Sequence, residues 1–282
     1  MFAKRFWRRR LLGVALSVIA CSTGLNAQAN QPFIVVASTT STRDSGLFEH
    51  ILPVFEKKTG IEVRVVAVGT GEAIELAERG DADVLFVHHK PSEEQFVAEG
   101  QGVKRYPVMW NDFIIAGPKS DPAHIKGMKD AVKAFARIAK AKAMFASRGD
   151  DSGTNKKELE LWEAAGIDVG KASGTWYREL GQGMGPTLNS AAAMNAYTLS
   201  DRGTWIAFNN RQTLGILVQG GPNLVNQYGV ILINPKKHPD VKVKEGQEFI
   251  DWLISKQGQS TIGAYQLKGQ QLFHPNANDP NA

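Results

Sequence analysis

The sequence predicts an α/β protein with two lobes, each built on a doubly wound, mostly parallel sheet. The first observation is that short apolar or β-branched runs alternate with segments of helical spacing through residues 33–87. This alternation is typical of a parallel sheet covered by helices. The second observation is that a further set of such segments follows, and that the chain returns near Gly229 to complete the first set. The roughly 250 residues that follow residue 29 suffice for one large or two modest α/β domains.

The first set of elements begins with residues 33–37, an unbroken apolar run expected of a strand buried on both faces. Apolar residues at helical spacing predict a helix over 47–55, which Pro53 is expected to break or restart and Gly60 to end. A strand, a helix and a strand are predicted at 61–68, 72–79 and 84–87. This order predicts a parallel sheet.

The later elements complete the two lobes. The basic amphipathic helix predicted at Lys126–Lys142 is interpreted as an ordinary solvated helix over a core stripe, rather than a membrane or partner segment. The predicted boundaries place residues 30–112 and 230–282 in lobe 1 and residues 113–229 in lobe 2. The remaining predicted elements are strands at 113–117, 143–147 and 228–233 and helices at 155–165, 187–200 and 245–255.

Residues 1–29 have the pattern of a secretory signal peptide. Five basic residues precede the apolar run Leu11–Ala20, and small residues follow as far as Ala29. A run of about ten residues is too short to span a bilayer as a helix. Residues 18–21 resemble a lipobox, which would anchor the protein through a lipid on Cys21, and residues 8–12 loosely resemble a twin-arginine signal. Simple cleavage after Ala29 and a periplasmic location are favoured over the lipid anchor.

The basicity of the chain belongs to this N-terminal segment. The chain has 33 basic and 28 acidic residues, and five of the basic ones lie in residues 1–29, which leaves 28 of each. A near-neutral protein lacks the charge expected for binding nucleic acid or anionic lipid. After cleavage at Ala29 no cysteine remains. A disulfide framework, a thiolate metal site and a cysteine nucleophile are then excluded.

Four segments at or just before predicted helix starts are rich in hydroxyl side chains or glycine. Helix N-termini present unpaired N–H groups and the positive end of the helix dipole, so each is a potential anion site. In an open α/β sheet such segments gather at the carboxyl ends of strands, where ligands bind. For any single segment, a structural helix cap or tight turn is the simpler interpretation. The segments are Ser38–Ser41, Gly69–Gly71, Asp150–Thr154 and Gly183–Thr187.

Arg148 stands directly before the third of these segments. Its guanidinium adds a fixed positive charge and can donate to two oxygens of one anion. A buried dianion is costly unless it is fully hydrogen-bonded, and a charged donor helps most. The alternative is a structural ion pair with Asp150 or Asp151. Arg148 is therefore the leading candidate for an anion contact.

A family resemblance joins three segments of the chain. Ser38–Leu47, Ser147–Asn155 and Ala196–Thr204 together resemble the tungstate-binding component of ABC transporters, the TupA type. Within the second segment, Arg148–Thr154 also resembles the arginine–acid–Ser-Gly-Thr segment of phosphate-binding periplasmic proteins. The TupA likeness covers essentially all of the chain after residue 29. The family usually has threonine where this chain has Ser38, and the hydroxyl is kept.

The resemblance implies a type II periplasmic binding protein whose ligand cleft lies between the lobes. Such a protein would capture a tetrahedral oxyanion, with tungstate the first choice, and deliver it to an ABC transporter permease and, through it, the ATPase. A monomer suits this role. No cofactor, no bound metal ion other than the metal oxyanion and no catalytic residue is expected. The expected ligand contacts, from the resemblance and the helix-start segments together, are Thr39, Thr40, Ser41, Thr70, Arg148, Ser152, Gly153 and Thr154.

Three oxyanions remain possible ligands: tungstate, molybdate and phosphate. Tungstate and molybdate are fully deprotonated near neutral pH, so their ideal site offers only donors, whereas phosphate keeps a proton and rewards a carboxylate acceptor. Asp150 could be that acceptor, or it could neutralise Arg148 or cap the following helix. The family likeness favours tungstate. The residues do not separate it from molybdate, because the two anions have nearly the same size and charge.

A secreted hydrolase is the rival class. His88 and His89 are adjacent at a strand end, where they would point to opposite faces and form a poor chelating pair, so a structural or surface role is favoured. The sequence has no Gly-x-Ser-x-Gly, His-Glu-x-x-His or Gly-Lys-Ser/Thr motif. A zinc-uptake protein would have more histidines than these. The sequence therefore predicts a binding protein and not an enzyme.

Overall fold

The structure is a computed structural model that describes residues 31–279. The predicted signal peptide at residues 1–29, with the lipidation alternative at Cys21, lies outside the described residues. Among residues 31–279, no helix has both the length and the apolar character needed to cross a bilayer.

Strands and helices alternate along the described chain. The strands are β1 (Phe33–Thr39), β2 (Glu62–Val68), β3 (Val84–Val87), β4 (Gly102–Pro118), β5 (Phe145–Ser147), β6 (Tyr177–Glu179), β7 (Thr198–Asp201), β8 (Leu214–Val218), β9 (Val225–Ile233), β10 (Gln266–Leu267), β11 (Gln270–Gln271) and β12 (His274–Pro275). The helices are α1 (Thr40–Asp44), α2 (Leu47–Thr59), α3 (Thr70–Glu78), α4 (Lys90–Ala98), α5 (Ala131–Ala141), α6 (Gly153–Ala164), α7 (Met184–Met194), α8 (Arg202–Ala207), α9 (Val243–Ile254) and α10 (Lys256–Ala264).

The large sheet combines the predicted parallel strands with antiparallel ones. Its order is β12-β4-β9-β3-β1-β2, and β7 and β8 also pair with β4. As predicted, β1 pairs in parallel with β2 and β3. By contrast, β9 is antiparallel to both β3 and β4, because it enters the sheet directly between them without a helical crossover. The sheet is therefore more mixed than the sequence suggested.

Strand β4 is 17 residues long and continues through two hydrophobic cores. Its first part pairs with β9 from Gly102 to Asp112, and its last part pairs with β7 and β8 from Phe113 to Pro118. The pairing register shifts along the ladder, including between Pro107 and Met109. The predicted strand at 113–117 is thus the second half of a longer one.

Two regions of buried apolar side chains define the two lobes. The first lobe surrounds a core that includes β1, β3, α2 and α9 and contains Met109 and Tyr228. The second lobe surrounds two adjoining clusters that include Phe113, Trp162 and Leu188. The chain passes from the first core to the second within β4 and returns to the first at the start of β9.

Three expectations about helix extent were wrong. The helix predicted at Lys126–Lys142 begins only at Ala131, because the side chain of Asp130 caps it there. Helix α2 continues through Pro53 to Thr59. The burial of its apolar face in the first core offsets the loss of the backbone hydrogen bond that proline cannot donate. The helix predicted at 187–200 ends at Met194, and Asn195 caps it in the left-handed conformation with φ 50°. The chain then forms β7, which pairs with β4 and buries all four of its residues.

Candidate functional site

Four helix N-termini from the two lobes converge on one cleft. The cleft holds a cavity of about 420 Å³ and a neighbouring one of about 570 Å³, and Thr40, Arg148 and Gly183 line both. Helix α1 starts at Thr40, α3 at Thr70, α6 at Gly153 and α7 at Met184. Since first-turn N–H groups lack intrahelical partners, this arrangement directs backbone donors and the positive ends of the helix dipoles toward the cleft.

Arg148 is buried at the cleft and is held by Asp150. The residue is 4% exposed, and its Nε and Nη2 donate to Oδ2 of Asp150 at 3.1 and 2.6 Å. The other carboxylate oxygen, Oδ1, accepts from the backbone N–H of Ser152 at 3.3 Å. Both oxygens of Asp150 are therefore engaged by donors of its own segment. Asp151 is oriented differently and accepts from Lys156 Nζ at 2.6 Å.

The hydroxyl groups of Thr70 and Thr154 are buried and have no hydrogen-bond partner. By contrast, Ser152 Oγ accepts from Asn155 N and Thr39 Oγ1 accepts from Thr42 N, as structural caps do. An unsatisfied buried hydroxyl costs about 1–3 kcal/mol, so native structures rarely keep one without a reason. Thr70 comes from the first lobe and Thr154 from the second.

The segments that carry these threonines touch across the cleft. A β-carbon added to Gly153 would lie 2.6 Å from Cε1 of His88 and 3.0 Å from Oγ1 of Thr70. One added to Gly71 would lie 2.0 Å from Oδ2 of Asp151. Glycine at these positions therefore allows the two lobes to approach closely.

A hydrogen bond at the rim of the cleft also joins the two lobes. His89 Nε2 lies 2.9 Å from Oε1 of Glu160, which is on α6. The hydrogen bond from His89 is the main reason that the pKa of Glu160 is lowered to about 2. Since the other ring nitrogen of His89 accepts from the backbone N–H of Ser92, Nε2 is the donor to Glu160.

His88 was not among the predicted contacts, yet it is buried directly behind Ser41 and beside Gly153, at the start of α6. It is 5% exposed, and its Nε2 is 3.1 Å from Oγ of Ser41. Its Nδ1 is 3.0 Å from Oδ1 of Asn226, on β9. The two neighbouring histidines have different partners, since His89 Nε2 contacts Glu160 of α6 and not Ser41 or Asn226. The sequence signal for a role of His88 in the site was its position at the carboxyl end of β3, beside the hydroxyl-rich end of β1.

The start of α7 also lines the cleft, although no residue of it was among the predicted contacts. Gly183, Met184, Gly185 and Pro186 all face the smaller cavity. Gly183 caps the helix without a side-chain hydrogen bond, and a β-carbon on Gly183 or Gly185 would meet no neighbour within 4 Å. The helix start is therefore open to a ligand.

Several known proteins are similar to this chain over most of its length. A model of the PBP superfamily domain matches residues 26–257. The tungstate-binding protein TupA of Peptoclostridium acidaminophilum is 48% identical over 86% of this chain and 86% of its own. A putative ABC transporter anion-binding protein of Haloferax volcanii is 51% identical over 88% of this chain and 73% of its own.

The chain belongs to the TupA family within the PBP superfamily. The family and fold class predicted from the sequence are thereby confirmed. Among solved structures, the tungstate-binding protein TupA from Desulfovibrio alaskensis superposes with a TM-score of 0.77, at 43% identity over 88% of this chain and all of its own. The tungstate ABC transporter structure from Geobacter sulfurreducens has a TM-score of 0.74, at 50% identity over 83% of this chain and 98% of its own.

The chemistry at the cleft differs from that of a metal-ion site. Within residues 31–279, no group of three or more His, Cys, Asp or Glu side chains is arranged to hold a metal ion. The cavities are lined by the carboxylates of Asp44, Glu72, Glu75, Asp150 and Asp151, of which the last two are paired with Arg148 and Lys156. They are also lined by the hydroxyls of Thr40 and Ser41, the Arg148 guanidinium and the starts of α1 and α7. Such a set of donors suits an anion.

Proposed function

We propose that this chain is the substrate-binding component of an ABC importer, which captures tungstate in the cleft and delivers it to a permease and its ATPase. The observation that carries the proposal is the pair of buried, unpartnered hydroxyls of Thr70 and Thr154, at the starts of α3 and α6. The two helix starts come close together, since a β-carbon on Gly153 would lie 3.0 Å from Oγ1 of Thr70. A tetrahedral anion between them would accept from both. The similar TupA proteins of Peptoclostridium acidaminophilum and Desulfovibrio alaskensis are tungstate-binding proteins, which supports tungstate as the ligand.

The state of Asp150 supports a fully deprotonated anion. Its two oxygens accept hydrogen bonds from Arg148 and from Ser152 N. Asp150 therefore serves to hold Arg148 in place, and only one lone pair, on Oδ1, is left for the proton of hydrogen phosphate. Molybdate has nearly the same size and charge as tungstate and is the second candidate ligand.

The proposed contacts come from both sides of the cleft, so that one anion joins the lobes. Closure is then favoured by the difference in ligand affinity between the closed and open forms. We propose lobe boundaries at residues 30–112 and 230–282 for lobe 1 and residues 113–229 for lobe 2, with Tyr228 at the end of lobe 2 packed into the first core. The proposed contacts are Thr39, Thr40, Ser41 and Thr70 from lobe 1 and Arg148, Ser152, Gly153 and Thr154 from lobe 2.

The remaining parts of the proposal concern the export of the protein, its location and its lack of catalytic activity. Cleavage after Ala29 would release a periplasmic monomer that shuttles the anion to the permease. The protein would bind its ligand without chemical change and without a cofactor. Phosphatase and esterase assays on the purified protein test the hydrolase alternative, and turnover in either assay would contradict a purely binding role.

Isothermal titration calorimetry tests the ligand. Residues 30–282 are titrated with tungstate, molybdate, phosphate and sulfate in one buffer free of other oxyanions. The expected result is tight 1:1 binding of tungstate with weak or no binding of phosphate and sulfate. Preferential phosphate binding would replace the ligand and assign Asp150 a new role. No binding of any of the four would refute the oxyanion site.

A further inference from the structure

A chain of buried hydrogen bonds runs from Ser41 to the strands that connect the lobes. Ser41 Oγ contacts His88 Nε2 at 3.1 Å, and His88 Nδ1 contacts Asn226 Oδ1 at 3.0 Å. Asn226 Nδ2 donates to Asn111 Oδ1 at 2.7 Å, and Asn111 Nδ2 donates to the hydroxyl of Tyr228 at 3.3 Å. Each of these residues except Ser41 is at least nine-tenths buried. The orientation of each group therefore depends on that of its neighbour.

The directions of these bonds determine the position of the Ser41 proton. Because the amide nitrogen of Asn226 donates to Asn111, its oxygen faces His88 and must accept from Nδ1–H. In the neutral imidazole, Nε2 is then the acceptor, and Ser41 must donate to it. Thr39 Oγ1 lies 3.1 Å from Ser41 Oγ and donates to it when Ser41 donates to His88. One lone pair of Ser41, and not its proton, is then left to face the cleft that Ser41 lines. A fully deprotonated oxyanion would meet an acceptor at this position.

We propose that His88 is a positioning residue for the oxyanion, and that it takes up one proton from solvent when the anion binds. The added proton occupies Nε2, which then donates to Ser41 Oγ. The hydroxyl proton of Ser41 turns into the cleft and donates to an oxygen of the anion. No covalent bond is made or broken apart from the N–H bond formed by the incoming proton. This inference rests on the proposed oxyanion site.

The surroundings of His88 keep it neutral until an anion is present. Burial lowers the pKa of His88 to about 4, with the charges of Arg148 and His89 acting in the same direction and the hydrogen bond to Asn226 opposing them. The ring of Tyr228 packs 4.8 Å away between centroids. A dianion in the cleft reverses this balance, because it attracts the imidazolium and offsets the charge of Arg148.

Proton uptake can be measured directly by calorimetry. Residues 30–282 are titrated with sodium tungstate at pH 6 and pH 7 in buffers of different ionisation enthalpy. The slope of the observed enthalpy against the buffer ionisation enthalpy gives the number of protons taken up. We expect a slope approaching one proton per anion, and an affinity that weakens by up to about tenfold per pH unit as the pH rises.

Two variants test the source of the proton. His88→Gln cannot take up a proton, and Ser41→Ala removes the hydroxyl that needs one, so uptake should vanish in both. His50→Gln is the matched control, because His50 lies on α2 and contacts Thr261 O, away from the cleft. It should keep the uptake of the wild type. Nitrogen-15 NMR of the His88 imidazole in the wild type measures the same protonation without any substitution.

The outcomes separate this inference from the proposed function. Tungstate binding without proton uptake, or unchanged uptake in His88→Gln, would overturn the role of His88 and leave the oxyanion site standing. An imidazole of His88 that stays neutral in the tungstate complex would overturn it as well. Absence of heat with tungstate and with molybdate would refute the proposed function itself.

Discussion

Replacing Thr70 or Thr154 by valine should strengthen the fold while weakening ligand binding. In the structure each hydroxyl is buried without a partner. Valine has nearly the same shape and removes this unsatisfied group, so the free energy of unfolding without ligand should rise by about 1–3 kcal/mol for each substitution. Most core substitutions act in the opposite direction.

The loss of affinity follows from the same contacts. A hydrogen bond to a charged acceptor contributes about 1.5–3 kcal/mol, which corresponds to about a 10- to 150-fold rise in Kd for tungstate for each threonine. Urea denaturation measures the first quantity and calorimetry the second. The matched control is Thr198→Val, because Thr198 is also buried but its hydroxyl donates to Leu199 O. Its affinity for tungstate should be unchanged.

The pair of substitutions can also be combined in a double-mutant cycle. If both hydroxyls bind one anion, their effects on affinity should couple, whereas their effects on stability without ligand should add. Unchanged affinity in both single variants would refute the reasoning, since it would mean that neither hydroxyl faces the anion. A drop in stability in both would show that the hydroxyls have partners in the protein.

Three further predictions concern other groups. Arg148→Ala should weaken tungstate binding by about 2–5 kcal/mol in calorimetry, and unchanged affinity with an unchanged circular dichroism spectrum would remove Arg148 from the site. Gly153→Ala should lower affinity because its β-carbon would lie 2.6 Å from the buried ring of His88 and hold the lobes apart. An affinity equal to the wild type would show that the lobes need not approach so closely. Burial raises the pKa of Glu158 to about 7, so its contribution to stability is fully present below its ordinary pKa and is lost as the pH rises toward 7. Glu158→Gln should therefore gain stability relative to the wild type between pH 5 and pH 8, by up to about 3 kcal/mol in thermal denaturation, and a constant difference across that range would contradict it.

The order of elements in the first lobe could be predicted because it depends on local patterns. The apolar run at β1, the helical spacing of α2 and the β-branched residues of β2 each specify their own element. Strand β7 could not be predicted in this way. Its conformation depends on pairing with β4, whose paired residues lie more than eighty positions earlier in the chain. Because the residues just before β7 have helical spacing, the predicted helix was extended past Met194 to residue 200.

The candidate site was predictable only in part for a related reason. Hydroxyl-rich helix starts are visible in sequence, but a cap and a ligand contact have the same composition. The difference between Ser152, which caps α6, and Thr154, which has no partner, exists only in three dimensions. The position of His88 at a strand end was visible in the sequence, but its hydrogen bond to Asn226 was not, because the two residues are 138 positions apart. Contacts of that separation leave no local signal.

The passage of β4 through both cores has a consequence for how the protein unfolds. A single strand of 17 residues supplies hydrogen-bonding partners to β9 on one side of its midpoint and to β7 and β8 on the other. If either lobe unfolded, half of β4 would lose its hydrogen-bonded partner strands and would expose an unpaired edge to other chains. Neither lobe is therefore an independent folding unit. The two lobes should melt together in one cooperative transition, even though the proposed binding cycle requires them to move relative to each other.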